Sequence, residues 1–162
     1  MANNPYLLKS VKFFRGMEGH GYNANLYHGK RKVAFAYDDA NGGCVYIEWD
    51  KKEDELNFDK FLEEYPKYKC TIDGTLVSHD ESTFLGDLIE IYEIERIVKC
   101  LMKKATFYNP PTNEFRSFKK SSGMWNDAKL KVVEEKYPKA IIFNQLSKEQ
   151  AIELYKKHET LK

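Results

Sequence analysis

Nowhere does the chain hold the ~20 consecutive apolar residues that a membrane-spanning helix needs, and its start, MANNPYLLKS, lacks the apolar core of a secretory leader. Cysteine is scarce. Cys44, Cys70 and Cys100 are odd in number and include no CxxC pair, so they read as reduced thiols of a cytoplasmic protein. An excess of one charge is missing too: 26 basic against 25 acidic side chains leave +1 over 162 residues, whereas a general nucleic-acid coat needs a clear basic surplus. No GxSxG elbow, HExxH helix or paired His/Cys ligand spacing occurs, and His20, His28, His79 and His158 are scattered. These absences lead to a reading with no metal, no cofactor and no assembled catalytic constellation.

Large apolar side chains are plentiful, with 11 Tyr, 10 Phe and 2 Trp in a chain that is 42% hydrophobic. That is enough to drive collapse of one compact α+β domain over residues 1–162. Its front should be a three- or four-stranded antiparallel meander. A strand is expected over Leu7–Phe14. Tyr22, Ala24 and Leu26 then alternate with Asn23, Asn25 and Tyr27, and Val33, Phe35 and Tyr37 alternate with Ala34 and Ala36. A two-residue turn at His28-Gly29 would set Ala24 against Val33 and Tyr22 against Phe35 on one side. Asn23, Asn25, Lys32, Ala34 and Ala36 would then share the other. Asp38–Gly43 reads as a further turn, and Cys44–Trp49 resumes the alternation.

Helical spacing follows. Leu56, Phe58, Phe61, Leu62 and Tyr65 fit a 3.6-residue period that Pro66 stops. A helix from Ser82 to Lys104 is apolar on more than one stripe, which predicts a central position with two neighbours. The remainder should run ββαβα, with Asn126 or Asp127 capping one helix and Ser147 with Gln150 forming a capping box for the last. Residues 1–75 and 105–162 thus read as sub-units joined by the helix over about 82–104. Phe61–Lys67 echoes Val132–Lys139, which suggests a duplicated ββαβ unit; the other reading is that Tyr-Pro simply ends both helices.

Three constellations bear on function. Gly16, Gly19 and Gly21 with Arg15, Glu18 and His20 would lie at one end of the hairpin beside Asp38, Asp39 and Asn41. Such a rim suits a small-molecule or nucleotide ligand, or is a solvated bend. The hairpin's polar side, with Asn23, Asn25, Tyr27 and Lys32 around Ala34 and Ala36, suits a partner's side chains or a packed helix. Lys103, Lys104, Phe107, Tyr108, Arg116, Phe118, Lys119, Lys120 and Trp125 interleave cations with aromatics, as single-stranded nucleic acid or an acidic protein would require.

The stretches Gly21–Tyr27 and Asp38–Gly43 resemble segments of short proteins from phages and bacterial mobile elements. That resemblance implies a setting in which small proteins inhibit or decoy a host defence factor by binding it, and it brings no site residues of known role. The expectation is a non-enzymatic binding protein for a protein or nucleoprotein partner. Asn23, Asn25, Tyr27, Lys32, Arg116, Lys119 and Trp125 are its expected contacts, and the small-molecule and nucleic-acid readings are its alternatives.

Overall fold

The computed structural model describes residues 4–119 and 124–159. The chain divides into two compact units, residues 1–90 and 91–162, and no helix among the described residues is long and apolar enough to cross a membrane. The first unit is built on an antiparallel sheet of β1 (Tyr6–Gly16), β2 (Gly19–His28), β3 (Arg31–Asp38) and β4 (Tyr46–Trp49) in the order β1-β2-β3-β4. This is the expected meander with four strands.

The register within it corrects the sequence reading. Gly29 and Lys30, rather than His28 and Gly29, form the β2–β3 turn, so His28 faces Arg31 and Tyr27 faces Lys32. That one-residue move shifts the register by two and leaves every side chain on its expected side. The next step does not. Leu26 pairs with Ala34, which leaves Val33 as an extra residue, a β-bulge. Beyond it Asn25 faces Phe35, Ala24 faces Ala36 and Tyr22 faces Asp38. Because side chains alternate with period two, one added residue exchanges the faces. Ala34 and Ala36 are 0% exposed in the core, and Phe35 and Tyr37 stand on the side of Asn23 and Asn25. The expected small-residue patch is therefore absent from that side. A second bulge, at Ser10 and Val11 opposite Ala24, bends β1 and leaves Ser10 at φ 54°.

The inner face is covered by α1 (Lys52–Glu64) and by the first turns of α2 (Glu81–Met102). Phe58, Leu62, Phe84, Leu85 and Leu88 pack there with Tyr6, Leu8, Ala24 and Leu26. The rings of Tyr6, Phe58 and Phe84 meet edge to face, the arrangement that aromatic quadrupoles favour. Burying each such ring stabilises by about 1.5–3 kcal/mol. Arg31 clamps this sheet to α1, donating to both carboxylate oxygens of Asp54 at 2.8 and 2.5 Å, and Asp54 is only 5% exposed. A short exposed hairpin, β5 (Tyr68–Lys69) with β6 (Leu76–Val77), follows α1. Asp80 and Thr83 then cap α2 reciprocally at 2.7 and 2.9 Å.

The second unit has a three-stranded sheet in the order β8-β7-β9, from β7 (Thr106–Asn109), β8 (Glu114–Ser117) and β9 (Ile141–Ile142). Helices α3 (Asp127–Lys136) and α4 (Lys148–Glu159) complete it. Asn126 accepts from Lys129 N at 3.0 Å, and Ser147 and Gln150 exchange two hydrogen bonds, so both expected caps form. Its core gathers Ile94, Val98, Phe143 and Ala151. The breadth of apolar surface on α2 now has a cause: residues 84–89 serve the first core and residues 94–102 the second. The Tyr-Pro echo marks helix ends alone, because β9 pairs with β7 of its own unit's sheet, whereas β5 pairs with β6 and does not join β1–β4.

Candidate functional site

The outer face of the N-terminal sheet carries the richest grouping of recognition side chains. From the register, β1 presents Leu7, Lys9, Lys12 and Phe14 there, and β2 presents Asn23, Asn25 and Tyr27. Strand β3 adds Lys32, Phe35 and Tyr37, and β4 adds Tyr46 and Glu48. None of these twelve is buried, whereas their inward neighbours Leu8, Ala24, Leu26, Ala34 and Ala36 are. A sheet with one face packed and one solvated has this alternation. Tyr46, at the β4 edge, is 47% exposed.

The rings on this face are held by one another. Tyr37 and Tyr46 lie with centroids 5.1 Å apart and planes 18° off parallel, and Phe35 continues the ridge 5.9 Å from Tyr37. At that separation near-parallel rings turn their faces to each other, so they offer edges and hydroxyls outward. Lys9 Nζ lies 4.3 Å from the centroid of Tyr27 and occupies that ring's face. Lys32 pairs with Asp50 at 3.1 Å, and both are about 40% exposed, so this pair adds little stability. The result is a pre-ordered aromatic ridge bordered by amides and cations.

Asn23, Asn25, Tyr27 and Lys32 all lie on this face, as expected from the sequence, but Phe35, Tyr37 and Tyr46 replace the alanines as its relief. Their signal was present in the alternation of β4, which places Tyr46 and Glu48 opposite Val45, Ile47 and Trp49. It became legible only with the bulge at Val33.

The loop end of the hairpin also assembles, for a packing reason. Glu18 N donates to Ala40 O at 2.9 Å, which ties the β1–β2 turn to the Asp38–Gly43 loop. Gly16 lies so close to Ala40 that an added Cβ would sit 2.4 Å from the Ala40 Cβ; at Gly21 it would sit 2.2 Å from Asp38 O. These glycines are required by close approach of backbones. Asp38 and Asp39 turn their carboxylates onto the backbone N–H of Ala40 and Asn41 at 2.8 and 3.0 Å, two Asx turns. Arg15 faces His20 across the β1–β2 pair, and both are exposed, as are Glu18 and Asn41. Asn23 faces Tyr37 across the β2–β3 pair. Inside the sheet, burial and then the charge of Asp38 push the Tyr22 hydroxyl up to about 12. Among the described residues no group of three His, Cys, Asp or Glu side chains has metal-binding geometry.

The basic and aromatic cluster of the second unit is taken apart by the fold. All four β7 residues are buried, Phe107 and Tyr108 among them, so these rings are core. Arg116 donates to Glu114 at 2.7 and 3.0 Å and to the Tyr137 hydroxyl at 2.7 Å, which holds its guanidinium above its usual range. Trp125 donates to Asn144 Oδ1 at 2.7 Å and packs edge-on against Phe118. Lys103, Lys104 and Lys119 are exposed, and Lys120 lies outside the described residues.

No protein-family model, curated protein or solved structure matches the chain.

Proposed function

We propose that the chain is a non-enzymatic, cytoplasmic binding protein that docks a protein partner on the outer face of its N-terminal sheet. The observation that carries this reading is the ridge Phe35–Tyr37–Tyr46 standing on an uncovered sheet face. Tyrosines already ordered by stacking bury area at small entropic cost, and such residues dominate binding energy at protein interfaces. Lys9 and Lys12 beside Leu7 and Phe14 suit a partner with an apolar patch bordered by carboxylates.

The ring geometry favours protein over single-stranded nucleic acid. Bases bind by stacking on free ring faces, and here one face each of Tyr37 and Tyr46 is taken by the other ring and one face of Tyr27 by Lys9. The whole unit also holds 11 basic against 16 acidic side chains, a field that repels a polyanion. The resemblance to phage and mobile-element segments directs the search to bacterial defence factors, which the protein would inhibit by occupancy.

The test is capture from nuclease-treated bacterial lysate by the immobilised chain, followed by affinity measurement with the captured protein. Tyr37→Ala with Tyr46→Ala should weaken that complex by about 2 kcal/mol or more, roughly thirtyfold, while Arg116→Ala leaves it unchanged. Equal affinity in the tyrosine variant, or capture that nuclease abolishes, contradicts the proposal.

A further inference from the structure

A different site, independent of the sheet face, lies wholly within the second unit. Along the last three turns of α2 runs a groove of about 580 Å³, a size within the ~300–1,000 Å³ range of small-molecule sites. Tyr92, Val98 and Met102 supply its apolar lining. Arg96 and Lys99 border it from α2, Lys103 from the turn just past that helix, and Lys148 closes it from the start of α4. Glu95 is the single carboxylate of the lining, and Lys148 engages it at 3.0 Å.

Arg96 and Lys99 lie three residues apart on α2, and Lys103 follows just past its end at Met102, so three cations gather along one border of the groove, where the C-terminal end of the helix dipole favours positive charge. The surrounding unit deepens this field, with 15 basic against 9 acidic side chains. The alkyl stems of the three lysines extend the apolar lining while their ammonium groups reach its border. From Tyr92 to Met102 the helix advances about 15 Å at 1.5 Å per residue, which makes the groove elongated.

We infer that this groove binds a small amphiphilic anion, with its apolar body along Tyr92, Val98 and Met102 and its carboxylate or phosphate among Arg96, Lys99 and Lys103. Burial of the hydrocarbon drives binding, and the cations select the sign of the head group.

The test uses the full chain labelled with [13C-methyl]methionine and titrated with dodecanoate below its micellar concentration. Dodecyl phosphate runs in parallel to distinguish the two head groups. The Met102 methyl should shift saturably at one ligand per chain, while the methyls of Met17 and Met124 stay in place. Dodecyltrimethylammonium should bind at least tenfold more weakly, and Lys99→Gln with Lys103→Gln should lower dodecanoate affinity at least tenfold. Lys148→Gln provides a second variant should the pair fail to fold. A stationary Met102 methyl, equal affinity for the cationic amphiphile, or unchanged affinity in the lysine variants would overturn the inference. So would a polyglutamate peptide that shifts Met102 where dodecanoate does not, since the groove would then be a protein-docking surface.

Discussion

The two units use the same residue types in opposite ways. Residues 1–90 carry a net charge of −5 and turn aromatic rings both inward, around Phe58 and Phe84, and outward, in the ridge through Tyr37 and Tyr46. Residues 91–162 carry +6, bury Phe107, Tyr108 and Phe143, and gather cations along α2. The overall charge of +1 is thus the near-cancellation of two fields that act locally, since exposed charges are screened beyond ~10 Å. A whole-chain charge argues about solubility; it says little about which surface meets which partner.

The largest effect that would break this comparison comes from the two cores. Phe58 and Phe143 are both 0% exposed, and replacing either by Ala should cost about 3–5 kcal/mol. Hydrogen exchange should show Phe58→Ala loosening the amides of residues 22–38 and Phe143→Ala those of 106–117. Equal loosening of both segments by either variant would mean that one cooperative unit spans the chain. A smaller effect is expected at Gly21, where a methyl group meets the Asp38 carbonyl and the Phe14 ring. Gly21→Ala should destabilise by about 1–3 kcal/mol in chemical denaturation, and a neutral outcome would show that the loop does not pack on the hairpin as described.

The smallest effect is electrostatic and confined to the first unit. Hydrogen bonds from Arg31 hold the Asp54 carboxyl below its usual range. A lowered folded-state pKa stabilises above the unfolded value of about 4, and that contribution is lost as pH falls through the folded value. Thermal melts should therefore show the first unit losing stability on acidification below about pH 4, with a shallower slope in Asp54→Asn. An identical slope in that variant would remove the pair from the account.

Much of the fold was legible because its signals are local. Pro66 and Pro138 follow helix ends, Asn126 and Ser147 cap helices through their own side chains, and β2 alternates from Tyr22 to Tyr27. The outer face was half legible: Asn23, Asn25, Tyr27 and Lys32 were placed, while the strand beside them was inverted. Val33, Ala34, Phe35 and Ala36 are all apolar, so either face of β3 satisfies hydrophobicity, and a bulge leaves no mark in composition. The hydrogen bonds that hold Arg116 were not legible for another reason. Its partners Glu114 and Tyr137 are 2 and 21 residues away, and the more distant of them is brought near only by tertiary structure. The groove on α2 escaped notice because Lys148 reaches it from a separate helix, 45 residues beyond Lys103.

Cross-strand nuclear Overhauser effects within β2 and β3 test the central claim, that the bulge at Val33 puts Phe35 and Tyr37 outside with the asparagines. Backbone contacts joining Ala24 to Ala36 and Asn25 to Phe35 are expected. Contacts joining Ala24 to Val33 and Tyr22 to Phe35 would return the ridge to the core and contradict the docking face.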